Sequence, residues 1–149
     1  MDRLATALVR RRCGPSGGAI GRRSVLWLAL AGAAAFSASP AQALQESKFD
    51  EGKFAAAQAA GKPILVDVTA PWCPTCRTQK AILYRLARDP HFDGLVVFQI
   101  NFDSQEALLS RFGVSMQSTL ISFKGWKEVG RSVGDTDASS IKAQVEKSF

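Results

Sequence analysis

The segment from residue 64 to residue 76 constrains this chain more than any other. Ile64-Leu65-Val66-Asp67-Val68 is a short, largely β-branched run, the mark of a buried central strand. Pro63 fits at its start, since proline is tolerated at the first residue of a strand. Ala70-Pro71 makes a sharp turn into Trp72-Cys73-Pro74-Thr75-Cys76. From Pro74 to Asp89 the spacing becomes helical, with Ile82 and Leu86, and Leu83 and Ala87, as i, i+4 pairs. Asp89-Pro90 ends the helix, because the residue before proline avoids the helical region. A buried strand therefore delivers two cysteines to the start of a helix.

The rest of the chain reads as elements that complete such a unit. Residues 44–49 form a short lead. Asp50 to Ala60 is an alanine-rich helix with Phe54 and Ala57 on one face, stopped by Gly61. Leu95 to Phe102 is a second apolar strand. Ser104 to Phe112 is a helix capped by Ser104 or Asp103 and ending at Gly113. Thr119 to Phe123 and Lys127 to Val133 are strands joined by Lys124-Gly125-Trp126, a hairpin signal. Asp137 to Phe149 is an amphipathic helix on Ile141, Val145 and Phe149. This order predicts an α/β fold with a mixed central sheet. Helices between the early strands imply parallel pairing, the closing hairpin implies an antiparallel edge, and helices cover both faces.

The N-terminal residues stand apart. Arg3, Arg10, Arg11, Arg12, Arg22 and Arg23 face a single acid, Asp2, and Val25 to Phe36 is uncharged. That run is shorter than the roughly 20 apolar residues of a bilayer span, so no permanent membrane anchor is expected. Ala41-Gln42-Ala43 offers small residues to a signal peptidase. Residues 1–43 are expected to be a secretory signal cut after Ala43, with Arg22-Arg23 before Ser24-Val25-Leu26 resembling the twin-arginine export signal. The domain then spans 44–149 and resides in the periplasm.

The same cut disposes of nucleic acid as a partner. The whole chain carries a formal charge of +6 from 19 basic and 13 acidic residues. The leader holds six of the basic residues and one acid, so the remainder keeps thirteen against twelve and a net charge of +1. No basic patch remains. The cut also removes Cys13 and leaves Cys73 and Cys76 as the only cysteines of the domain.

A Cys-x-x-Cys pair is half of a zinc site, a structural disulfide, or a redox pair. Structural zinc takes four ligands, and the domain adds only His91, which reads as a turn residue after Pro90. A disulfide closing so short a loop constrains the unfolded chain little. The redox reading follows from position. Free N–H groups and the helix dipole at a helix N-terminus favour an anion. Cys73 should therefore fall from about 8.5 into the range of roughly 3.5–7.5 found for such thiols. Its thiolate attacks a disulfide, and Cys76, one turn on, resolves the mixed disulfide. Asp67 is an acid in an apolar strand, costly unless it has a task or a partner.

At these residues the chain resembles the thioredoxin family over nearly its whole mature length. The resemblance implies the three-layer thioredoxin-like fold and a protein thiol–disulfide oxidoreductase acting on protein thiols and disulfides. It implies that Asp67, six residues before Cys73, relays the proton that frees Cys76, and that Trp72 flanks the site. Pro74 and Thr75 lie between the thiols, and Gln117, Ser118 and Thr119 form the partner-docking edge. No cofactor and no resident metal are implied, a membrane or periplasmic redox partner is expected, and the protein is expected to be a monomer.

The chain departs from the family at three positions. Ser118 stands where the family carries a cis-proline facing the cysteines. A cis bond before a non-proline costs about 2.5–4 kcal/mol, so Gln117-Ser118 is expected to be trans or strained. Loss of the proline ring is expected to uncover the thiols and adds a hydroxyl, which either tunes Cys73 or opens an alternative function, a metal- or cluster-binding module using the same cysteines. Pro74-Thr75 lacks the histidine of a strong oxidant, which leans toward a reductant. Ala81 replaces a helix-kinking proline, bringing the chain closer to periplasmic thioredoxin domains of membrane disulfide reductases.

Overall fold

The computed structural model describes residues 45–149. The expected leader, with Arg22-Arg23 and the cut after Ala43, lies outside the described residues. Among those described, the strands are β1 (Gln45–Lys48), β2 (Pro63–Thr69), β3 (Val96–Asn101), β4 (Thr119–Lys124) and β5 (Lys127–Val133). The helices are α1 (Glu51–Ala59), α2 (Pro74–Leu86), α3 (Glu106–Arg111) and α4 (Ala138–Glu146). The five strands form one sheet in the order β1-β3-β2-β4-β5. β3 runs parallel to both β1 and β2. β4 runs antiparallel to β2 and to β5. This is the α/β three-layer arrangement that the sequence implied.

Side-chain alternation along the strands sorts the core into two layers. Ile64, Val66 and Val68 of β2 pack on one face with Phe54 of α1, Leu109 of α3 and the ring of Phe98. Leu65 points the other way, to Ile82 and Leu83 of α2 and Ile141 and Val145 of α4. Asp67 shares the parity of Leu65, so its carboxyl turns toward the α2 layer. The run Ile64–Val68 is buried throughout because both faces are covered.

Caps explain where helices begin. Asp50 accepts the Lys53 N–H at 2.8 Å and starts α1, and Asp137 accepts the Ser140 N–H at 2.8 Å and starts α4. Gly61, at φ +64°, supplies the left-handed residue that stops α1.

Four local expectations are corrected. The lead over 44–49 contains β1, whose polar residues are held by parallel pairing with β3 rather than by apolar patterning. α2 ends at Leu86, and a 3₁₀ turn over Pro90–Phe92 follows. The last helix stops at Glu146, and Phe149 lies beyond it, stacked over the His91 ring at 5.9 Å. α3 begins only at Glu106, with Gln105 at its N-cap and no side-chain cap bond. Asn101 diverts the preceding turn: its Oδ1 accepts from the N–H groups of Asp103 and Ser104 and from the Ser104 hydroxyl.

Candidate active site

Cys73 is the N-cap of α2, with extended backbone angles (φ −82°, ψ 115°). Pro74 at the first helical position needs no N–H partner there. The Cys76 N–H donates to Cys73 Sγ at 3.1 Å, so the sulfur fills the place a capping oxygen takes in other helices. Burial alone would push the Cys73 thiol up. Hydrogen bonds from the Cys76 thiol, the Ser118 hydroxyl and the N–H groups of Cys76 and Thr75 outweigh burial and hold it below its ordinary value. Both cysteines are free thiols.

Ser118 closes the site from the other side. Its Oγ lies 3.0 Å from Cys73 Sγ and 3.1 Å from Cys76 Sγ. No cis peptide bond occurs among the described residues, and Ser118 itself is left-handed at φ +59°. For a non-glycine residue that conformation costs about 1–2 kcal/mol. Three bonds hold it: Ser118 N–H to the Val68 carbonyl at 2.8 Å, and its carbonyl accepting from Gly134 N–H at 2.8 Å and Gln79 Nε2 at 3.1 Å. The thiols are not uncovered. Cys73 is 2% exposed and Cys76 4%, because the left-handed turn drives the serine side chain inward over both sulfurs.

Asp67 is buried, and its Oδ1 has no hydrogen-bond partner among the described residues. Its Oδ2 accepts weakly from Gln99 Nε2 at 3.5 Å, across the β2–β3 register in which the two residues face each other. The same amide donates to Glu46 of β1. Glu46 also accepts from Lys80 Nζ at 2.9 Å and from the Tyr84 hydroxyl at 2.6 Å. Burial pushes the Asp67 carboxyl up to about 6; the Gln99 amide opposes this, the Glu46 carboxylate reinforces it and Lys80 opposes it. Hydrogen bonding to Glu46 in turn raises both Lys80 and Tyr84. A cleft lined by Cys76, Lys80, Gln99 and Asn101 opens from this cluster to solvent.

The remaining predicted residues spread from rim to interior. Trp72 is 58% exposed and its indole N–H donates to Asp103 Oδ2 at 3.0 Å. Pro74 is exposed and Thr75 and Gln117 are half-buried. Thr119 is buried in β4, paired with Val68 and Val133. Sequence reasoning missed Gln79, Glu46, Gln99, Lys80 and Tyr84. Gln79 carried a signal: it lies one turn before Ile82 and Leu83, a polar residue on the apolar stripe of α2. Among the described residues, no three His, Cys, Asp or Glu side chains gather as a metal site would need.

A family model described as Thioredoxin matches residues 42–147. The chain belongs to the thioredoxin family. A thioredoxin from Alicyclobacillus acidocaldarius is 36% identical over 84 residues, which is 56% of this chain and 79% of that protein. The crystal structure of Trxlp from Edwardsiella tarda EIB202 is 43% identical with a TM-score of 0.65, covering 67% of this chain and 97% of that one. A mutant thioredoxin from Halobacterium salinarum NRC-1 is 26% identical with a TM-score of 0.59, covering 74% and 93%. This member of the thioredoxin family is a thiol–disulfide oxidoreductase of thioredoxin type, with Cys73 and Cys76 as its Cys-x-x-Cys pair. Proteins of this type exchange with protein thiols and disulfides.

Proposed function

We propose that this thioredoxin-family protein is an exported reductant of protein disulfides in the periplasm. The observation that carries the exchange chemistry is Cys73 Sγ capping α2 and taking the Cys76 N–H at 3.1 Å, which favours a thiolate. Cys73 attacks one sulfur of the partner disulfide. The partner's S–S bond breaks, a mixed disulfide forms at Cys73, and the other partner sulfur leaves and is protonated by solvent. Cys76 then loses its proton to Asp67, attacks Cys73 Sγ and releases the second partner thiolate. Two electrons pass to the partner, and the protein ends as the Cys73–Cys76 disulfide.

Trp72, Pro74 and Thr75 form the rim. The Gln117 N–H and carbonyl make no hydrogen bond among the described residues, next to a serine that touches both sulfurs. Those free groups offer strand-like pairing to an extended partner segment. Ser118 and Thr119 hold that edge in place from the interior.

Absence of a histidine between the thiols removes one thiolate-stabilising cation and supports the reductive direction. An oxidising compartment then requires a membrane or periplasmic dithiol partner to restore the reduced pair. The basic and apolar leader over 1–43 supports export.

Three measurements test this. Equilibration with glutathione gives the potential, expected on the reducing side; a value as oxidising as the glutathione couple overturns the direction. Cys73→Ser abolishes reduction of a protein disulfide, and Cys76→Ser traps the mixed disulfide. Cell fractionation should place a protein starting at Leu44 in the periplasm, and retention of residues 1–43 in the cytoplasm removes the export reading.

A further inference from the structure

Ser118 touches the chemistry more closely than any other non-cysteine side chain. Its oxygen is equidistant, within 0.1 Å, from two sulfurs that carry negative charge at different stages of one reaction. We propose that the Ser118 hydroxyl is a catalytic switch: it hydrogen-bonds Cys73 while that sulfur is the thiolate, then turns its hydrogen to Cys76 when Cys76 becomes the nucleophile. This rests on the exchange reaction proposed above.

The chemistry of a hydroxyl permits this. It has one hydrogen and two lone pairs, and the hydrogen rotates about the C–O bond without moving a heavy atom. In the reduced protein the Cys76 S–H and the Ser118 O–H both donate to the Cys73 thiolate, and the Ser118 oxygen lies beside the Cys76 sulfur. Once Cys73 is bonded to the partner its sulfur is neutral and a poor acceptor. The Ser118 hydrogen is then released to Cys76 as that thiol gives up its proton to Asp67. Cys76 attacks Cys73 Sγ, the bond from Cys73 to the partner breaks, and the hydroxyl has stabilised each anion in turn.

Three observations favour this over a filling role. Cys73 has a second donor in the Cys76 N–H, whereas no N–H among the described residues donates to Cys76 Sγ. Ser118 and both sulfurs are buried, so water does not compete, and hydrogen bonds to charge are strong there. The backbone at Ser118 is left-handed, a conformation glycine takes without steric cost, yet the position carries a hydroxyl and is anchored by two backbone–backbone bonds and the Gln79 amide.

The test uses Ser118→Gly, which suits the positive φ, and Ser118→Ala, which keeps the Cβ; agreement between them separates hydroxyl loss from backbone effects. Thiolate absorbance of the reduced protein gives the Cys73 midpoint. A stopped-flow reaction with 5,5′-dithiobis(2-nitrobenzoate) gives two releases of chromophore, the first from Cys73 attack and the second from resolution by Cys76. Both variants should raise the Cys73 midpoint by about one pH unit and slow the second release about tenfold, the effect of removing one charge-assisted hydrogen bond. An unchanged second release overturns the switch even if the midpoint moves, and an unchanged midpoint overturns it even if the release slows. A wild-type protein that gives no second release sinks the exchange reading itself, before Ser118 is at issue.

Discussion

Gln79 of α2 reaches across the site to the Ser118 carbonyl, donating at 3.1 Å, and the same amide nitrogen donates to the Asp135 carbonyl at 2.9 Å. One buried side chain therefore ties the helix bearing the cysteines to the loop that faces them.

Gln79→Leu keeps the bulk of the side chain and removes both donors. It leaves the Asp135 carbonyl without its Gln79 partner and weakens the hold on Ser118. Loss of such a buried partner costs about 1–3 kcal/mol. Thermal unfolding should show a lower midpoint, and the Ser118 carbonyl band in the infrared should shift to that of a weaker hydrogen bond.

Asp67→Asn should stabilise the protein at pH 7.5 and leave stability unchanged near pH 3. The folded-state pKa is raised from 3.8 to about 6, so the native state favours the protonated form. That stability is fully present below the unfolded value and is lost as pH rises through about 6. Asparagine keeps the neutral shape at every pH, so the gain at pH 7.5 is at most about 3 kcal/mol. Denaturant titrations at the two pH values check it, and the same variant should slow the resolving step.

Glu46→Gln should lower the Asp67 midpoint. The Glu46 carboxylate raises it through like charge, whereas the neutral amide still accepts from Gln99 and Tyr84. Carbon-13 titration of the Asp67 carboxyl reads the shift directly, and an unchanged or higher midpoint contradicts the argument.

The reduced protein should gain stability on the oxidised protein as pH rises. Cys73 is depressed in the folded state, so its contribution is present above the ordinary thiol range and is lost as pH falls through the lowered value. The disulfide form has no thiol to titrate. Unfolding of both forms between pH 4 and pH 9 tests this, and a gap that stays flat counts against a thiolate held at the helix tip.

Much of this molecule could be read before its structure. The run from Ile64 to Val68 declared a doubly covered strand, and Pro74 and the i, i+4 pairs declared the helix after it. Their junction placed the cysteines correctly. β1 stayed hidden because Gln45-Glu46-Ser47-Lys48 has no apolar pattern; only its pairing with β3 makes it a strand. Losing β1 meant losing Glu46, and with it the cluster behind Asp67, whose members come from separate elements. The reach of Asn101 into the turn before α3 and the left-handed Ser118 are likewise decided by tertiary hydrogen bonds, which local propensity does not report.

The depth of the two sulfurs decides what the pair meets. With 2% and 4% of their surfaces open, a reagent drifting in solution finds serine and backbone before it finds sulfur. A partner surface shaped to the rim brings its sulfur to that narrow opening more readily than a small free reagent does. Selection among protein partners then depends on fit to the rim as well as on intrinsic reactivity.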